Sequence, residues 1–209
     1  MECNRGGTTV IQTVNGDPTL FLSPNNFSNS TISGTFGETH SDDDFIGFVF
    51  GFQSTGAFYL LDWKQETQDD PFTNGVNTAS RGVTLKRIDA TPTNRTSLWN
   101  TASTGVMTQL FHQDLVRLNS TTYTFDLTFT SPLIDITISQ GATELLNFSV
   151  SDGTYASGKF GFYNFSEDNA TYTGFTADPA PPLAAVPEPS TVLLLATGLI
   201  GLIGYKRKK

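Results

Sequence analysis

The sequence predicts an all-β domain, an antiparallel sandwich or barrel, followed by a separate C-terminal helix. Three observations predict it. The 209 residues include 31 Thr, 17 Ser and 17 Phe, and Thr, Phe, Val and Ile suit a pleated, half-buried surface. Between residues 8 and 177, apolar and polar side chains alternate over many short runs, the period of a strand with one buried face. Polar turns separate those runs. At 37% hydrophobic residues, the chain carries enough apolar material for a core, which argues against wholesale disorder.

The elements follow in order. In the run from Phe45 to Phe52, the residues Ile46, Phe48, Phe50 and Phe52 fall on one face, and Gly47, Val49 and Gly51 on the other. Gln53-Ser54-Thr55-Gly56 reads as a turn, and Ala57 to Trp63 returns as the second strand of a hairpin. Glycines inside a strand admit a close neighbour, which at Gly47 and Gly51 reads as core packing. Tyr123, Phe125, Leu127 and Phe129 alternate with Thr and Asp. Ile134, Ile136 and Ile138 repeat the pattern up to a turn at Gln140-Gly141. Phe160 and Phe162, then Tyr163 and Phe165, close the series. Many short strands of this kind build a sandwich or barrel. The tail is the only helix expected.

Charge excludes one function class. Asp and Glu number 20, Lys and Arg 12, and four of those basic residues are the last four of the chain. Residues 1–205 therefore hold 8 basic and 20 acidic side chains, a net charge of −12. Such a body repels phosphate backbones, so no nucleic-acid partner is expected. Cys3 is the one cysteine, which excludes an intrachain disulfide and a cysteine zinc site. His40 and His112 stand apart in the sequence, in no metalloprotease spacing.

Composition changes sharply at the C-terminal end. A Pro/Ala linker covers 179–186, an apolar run without charge covers 190–205, and Lys206, Arg207, Lys208 and Lys209 end the chain. The apolar run would form a helix of ~24 Å, slightly short of a ~30 Å hydrocarbon core. Snorkelling Lys and Arg can cover the difference. The basic end stays on the cytoplasmic side, which leaves the body outside.

Pro187-Glu188-Pro189, the apolar span and the basic end, in that order, resemble the PEP-CTERM sorting signal of Gram-negative bacteria. The resemblance covers 187–209. It implies export, a precursor anchored in the inner membrane by its transmembrane helix, and removal of the tail by exosortase near Pro187, Glu188 and Pro189. The mature protein would then be at the cell surface or extracellular, beside exopolysaccharide or other surface proteins as partners. Met1 to Gly7 contains neither a basic n-region nor an apolar h-region, so either upstream coding residues are missing, which is the expectation, or the chain is an excised portion.

The body carries a second resemblance. Ser41-Asp42-Asp43-Asp44-Phe45-Ile46-Gly47-Phe48-Val49-Phe50-Gly51-Phe52-Gln53-Ser54, followed by Phe58-Tyr59 and Trp63-Lys64-Gln65, resembles the C-terminal domain of thrombospondins. Ile11 to Pro18, Ser97 to Thr101 and Gly158 to Phe162 support it in the same order. The resemblance implies a lectin-like jelly-roll β-sandwich over 1–178, calcium binding, and adhesion at the cell surface or matrix.

Three adjacent carboxylates repel one another unless solvated or neutralised. Asp42, Asp43 and Asp44 are therefore either an exposed acidic turn or part of a calcium site, since Ca2+ needs six to eight oxygens. The resemblance favours Ca2+ as cofactor. Asp69, Asp70 and Asn74 follow the Trp63 strand and could complete the shell on a looser match. Trp63 and Trp99 could stack on a sugar, although burial in the core is the commoner role. Lys64 and Gln65 read as structural. Seven Asn-X-Ser/Thr sequons begin at Asn26, Asn29, Asn94, Asn119, Asn147, Asn164 and Asn169, and chance accounts for them in a Thr-rich bacterial chain.

Three functions fit at this level. The first is a non-enzymatic, calcium-binding, lectin-like adhesion or binding module. The second is a carbohydrate-active enzyme on the same scaffold, which would need two facing carboxylates. No Glu-x-Asp-x-Glu strand motif supplies them, and no catalytic residue is nominated. The third is a structural envelope component without a ligand.

Overall fold

The computed structural model describes residues 2–3, 9–39, 41–70 and 77–179. Eight strands form the first half: β1 (Glu2–Cys3), β2 (Thr9–Ile11), β3 (Thr19–Phe27), β4 (Ser30–Glu38), β5 (Phe45–Ser54), β6 (Ala57–Lys64), β7 (Gln68–Asp69) and β8 (Thr78–Ala79). Seven follow: β9 (Gly82–Ile88), β10 (Met107–Gln113), β11 (Thr122–Thr130), β12 (Leu133–Gln140), β13 (Thr143–Ser151), β14 (Gly158–Phe165) and β15 (Ala170–Pro179).

They make two large antiparallel sheets, a seven-stranded one in the order β1-β2-β15-β4-β11-β12-β13 and a six-stranded one in the order β10-β9-β6-β5-β14-β3. The expected sandwich is therefore present. Its central core lies between the sheets, where Phe48, Phe125, Phe129, Ile136, Phe160 and Tyr172 pack together. In β11 the residues Tyr123, Phe125, Leu127 and Phe129 point inward, as their alternation requires. The outward residues of the seven-stranded sheet are hydroxyls and carboxylates that pair across strands, such as Thr31 with Thr128 at 3.1 Å and Ser149 with Asp135 at 3.0 Å. This face absorbs much of the Thr and Ser content.

The central strands of the six-stranded sheet, β9, β6, β5 and β14, are buried on both faces. Ile46, Phe48 and Phe50 enter the central core. Phe45 and Val49 enter a second core with Phe58, Leu60, Tyr163 and Phe165. The long connection from β9 to β10 covers that second core with Leu98 and Trp99.

Two details differ from the pattern read in the sequence. Phe52 does not share a face with Phe50. A register shift between Phe50 and Ser54, with Gly51 at φ +57°, turns it over onto Phe58 at 5.3 Å. A β-bulge inserts one residue and so inverts the alternation beyond it. Among the described residues the body also holds one helical turn, a 3-10 helix at Arg95–Leu98. The Asn94 side chain accepts from Thr96 N at 3.1 Å, and Ser97 Oγ accepts from Asn94 N at 3.2 Å. This reciprocal cap is purely local.

Pro179, first residue of the expected linker, closes β15. The remainder of the linker and the sorting helix, 180–209, lie outside the described residues, as do His40 and Asn74. Among the described residues no helix is long and apolar enough to cross a membrane.

Candidate metal centre

Three segments meet at one end of the sandwich: residues 12–17 before β3, residues 41–44 before β5, and the turn 166–169 between β14 and β15. Backbone bonds join them. Ser166 N donates to Gly16 O at 2.8 Å, and Asn169 N to Gln12 O at 2.8 Å. Ser166 and Asn169 both take positive φ, 55° and 58°, so this turn is bent back tightly at each end.

Asp42 is half-buried and central. Asn15 Nδ2 donates to Asp42 Oδ2 at 2.8 Å, and Asp43 N donates to Asp42 Oδ1 at 2.8 Å. Burial raises the Asp42 pKa, the Asp43 amide opposes that rise, and the neighbouring Asp44 and Asp43 charges add to it. Asp43 stays partly exposed, whereas Asp44 is buried.

Lys64, at the end of β6, answers the last two carboxylates. It is buried, with Nζ 2.9 Å from Asp44 Oδ1, 3.4 Å from Asp43 Oδ1 and 2.6 Å from the Asp43 carbonyl. Gln68 Oε1 accepts its third bond at 3.0 Å. The ammonium also lies 5.5 Å from the Phe45 and Trp99 rings. The structural reading of Lys64 therefore holds, and its charge is what reconciles the adjacent carboxylates.

Beneath the loop lies a buried group that sequence reasoning missed. Arg117 is 1% exposed, Glu38 3% and Glu167 0%. Arg117 Nη1 donates to Glu38 Oε2, and Nη2 donates to the Asp44 carbonyl at 2.8 Å and to Glu167 Oε2 at 3.2 Å. With its amide oriented to face these acceptors, Gln65 donates to Glu38 Oε1 at 3.1 Å and to the Asp42 carbonyl at 2.6 Å. One guanidinium thus serves two buried carboxylates. Burial drives the pKa of Glu167 far upward; Arg117 opposes this and the Glu38 charge reinforces it. Glu38 is raised by burial as well, against the pull of Arg117. No N–H or hydroxyl donates to the buried Glu167 Oε1, and the Glu167 carboxyl is hydrogen-bonded to Glu38 instead.

Two carboxylate groups converge within 4.8 Å among the described residues, Asp42-Asp43-Asp44 and Asp42-Glu167-Asp168. Asp69 and Asp70 belong to neither. They sit on the β7–β8 hairpin, where Asp69 Oδ1 accepts from Thr78 Oγ1 at 2.7 Å and Asp70 N donates to Asn77 O at 2.8 Å. The hard oxygen donors suit an alkaline-earth ion.

Both tryptophans are buried, Trp63 at 0% and Trp99 at 2%. Their indole N–H groups donate to Leu115 O at 2.9 Å and to Gln68 O at 3.2 Å. A cavity of about 250 Å3 adjoins the acidic loop, lined by Asn15, Asp44, Gln68, Trp99, Phe165 and Ser166 among others. A larger one, about 370 Å3, lies between Pro18, Leu20, Phe58, Pro92, Leu98 and Tyr163. Asp17 and Arg95 line both and pair at 3.5 Å.

Comparison with known proteins covers both parts of the chain. The family described as the thrombospondin C-terminal region matches residues 1–178. The PEP-CTERM protein-sorting motif matches 185–208, a motif of exported proteins that are held in the membrane before processing and then reach the cell surface or exterior. Thrombospondin-2 of Gallus gallus is 34% identical over 176 residues, and that of Homo sapiens 33%; each match spans 78% of this chain. Thrombospondin-4 of Bos taurus is 29% identical over 182 residues, 80% of this chain. The aligned part is only 15% of either thrombospondin-2. Among solved structures, the carbohydrate-binding module CBM66 of Bacillus subtilis aligns with TM-score 0.56 and 10% identity, over 85% of this chain and 89% of its own. The galectin LEC-6 of Caenorhabditis elegans aligns at 0.46 and 9%, over 82% and 96%.

Proposed function

This chain belongs to the thrombospondin C-terminal region family, and from that premise we propose that it is a calcium-dependent binding module displayed at the cell surface or in the extracellular matrix. Exosortase processes its tail near Pro187, Glu188 and Pro189, and Lys206 to Lys209 hold the precursor at the cytoplasmic face until then. The partner is a polysaccharide of the matrix, a class suggested by the carbohydrate-binding module that shares the architecture. No catalytic step is assigned.

The observation that carries the reading is the convergence of carboxylate oxygens within 4.8 Å at one end of the sandwich, Asp42 with Asp43 and Asp44 and Asp42 with Glu167 and Asp168. A calcium ion near Asp42 would supply the missing positive charge. It would also tie together the loops that wall the 250 Å3 cavity, since Asn15 bonds Asp42 at 2.8 Å and Ser166 at 3.2 Å. In this reading the ion orders the recognition surface, and the polar walls contact the sugar.

A glycan array probed with the full chain, once in calcium and once in chelator, tests the proposal. Binding confined to the calcium arm is expected. Equal binding in both arms, or none in either, would overturn it.

A further inference from the structure

Away from the acidic loop, the second core holds an ion pair with both members sealed in. Asp62 of β6 and Lys86 of β9 lie on neighbouring strands, one diagonal step apart, since Asp62 faces Thr84 and Leu60 faces Lys86. Lys86 Nζ is 2.6 Å from Asp62 Oδ2, and each side chain is 1% exposed. The ammonium also donates to Leu98 O at 3.0 Å, in the connection that covers this core. The Phe45 ring lies 5.5 Å from it and meets Trp99 edge to face at 5.2 Å. Lys64 differs, because it also pairs with Asp43, whose side chain is 43% exposed.

Burial changes the chemistry open to such a pair. In water, solvation holds an amine and a carboxyl in their charged forms, and the two ions do not condense. Stripped of water, the charges are costly, and replacing a buried ion pair by neutral groups is often neutral or stabilising. Burial raises the Asp62 pKa against the pull of Lys86, which favours proton transfer from the ammonium to the carboxylate. A nucleophile held against one carboxyl oxygen is one C–O bond from the carbon it attacks, close to the ~3–3.5 Å of a near-attack arrangement.

Tyr163 lies in the same cross-strand row: it faces Gly47, and Gly47 faces Asp62. The glycine puts no side chain between the tyrosine and the carboxyl. The Tyr163 hydroxyl is buried without a hydrogen-bond partner. Burial raises its pKa, and the Asp62 charge adds to that rise.

We propose that Lys86 and Asp62 close an intramolecular isopeptide bond between β9 and β6, with the Tyr163 hydroxyl as proton relay. The ammonium passes one proton to the carboxylate. The neutral Nζ attacks Asp62 Cγ, and its lone pair forms the C–N bond. Tyr163 gives its proton to the departing oxygen and takes another from Nζ. The C–O bond breaks and one water leaves. No oxidant or cofactor takes part, and one positive and one negative charge disappear together. The amide N–H that remains keeps Leu98 O as its acceptor. Such a bond staples a chain whose one cysteine, Cys3, allows no intrachain disulfide, and like a disulfide it restricts the unfolded state.

Intact-mass spectrometry of the full chain, unfolded in denaturant, tests the proposal. Wild type should be lighter than its sequence by one water, once terminal processing is allowed for, and proteolysis should release a branched peptide joining positions 62 and 86. Lys86→Arg keeps the charge but lacks the amine, and should show the full sequence mass. Tyr163→Phe removes only an unpartnered hydroxyl. In newly synthesised protein its bond should close roughly a hundredfold more slowly, the scale of a lost general acid–base group. Wild type at its full sequence mass, or a water lost without the 62–86 branch, would overturn the bond. Closure of Tyr163→Phe at the wild-type rate would overturn the relay. Neither result depends on calcium, so the reading above is tested separately.

Discussion

Phe111 of β10 lies flat on Phe148 of β13, ring centroids 3.8 Å apart and planes 4° from parallel. β10 is an edge of the six-stranded sheet and β13 an edge of the seven-stranded sheet. The stack therefore bridges the two sheets at that edge of the sandwich. Phe148→Ala removes a ring that is 8% exposed and should cost about 3 kcal/mol, the lower end for burying Phe in a core. Denaturant unfolding measures it. The calcium-dependent shift should remain, since the stack touches none of the acidic groups; a change below 1 kcal/mol would show that the edge holds without it.

Lys64 and Asp44 form a buried pair at 2.9 Å. Removing one partner of such a pair strands the other charge, typically for ~3–5 kcal/mol. Lys64→Met should lose about 3 kcal/mol, and the double variant Lys64→Met/Asp44→Leu should recover much of it. Equal losses in single and double variants would show that the ammonium acts through Asp43 and Gln68 instead.

Acid stability should depend on Asp152. Burial works to raise its pKa, but the Tyr59 hydroxyl, the Thr154 amide and the Arg87 guanidinium outweigh that and hold it down to about 2. A depressed carboxyl stabilises the fold above its unfolded value near 3.8, and the contribution fades as pH falls from about 4 towards 2. Asp152→Asn should cost roughly 2 kcal/mol at pH 7 and little at pH 2. Urea titrations at both pH values check the sign, and a loss that grows on acidification would refute it.

The tail predicts a processed product. In the native host, mass spectrometry of exported material should find a C-terminus near Pro187-Glu188-Pro189. Exported protein still ending at Lys209 would remove exosortase from the proposal. Changing Lys206 to Lys209 together to neutral residues should reduce the membrane-held precursor, because juxtamembrane basic charge sets orientation.

The acidic site was legible only in part. Asp42, Asp43 and Asp44 stand out as a run, and a run is what a local reading can detect. Arg117 gave the opposite signal. It lies between Val116 and Leu118, which are 48% and 50% exposed while Arg117 is 1% exposed. Alternation would have buried the apolar pair and exposed the charge. Glu167 and Asp168 are two acids in a short turn, unremarked until β14 delivers them beside Asp42, more than 120 positions away in the chain.

The sequence by itself determined the strand class, the inward faces of β11 and β12, the acidic charge and the tripartite tail. Each of those is set by neighbours two to four residues apart, through side-chain alternation, turn chemistry or composition. Tertiary structure alone decided that β5 is buried on both faces, that the bulge at Gly51 turns Phe52 over, and that Lys64 rather than water neutralises Asp44. It also decided which carboxylates meet. Strand pairing brings distant turns to one end of the sandwich, and burial there gives a carboxylate a need for charge that no local pattern records.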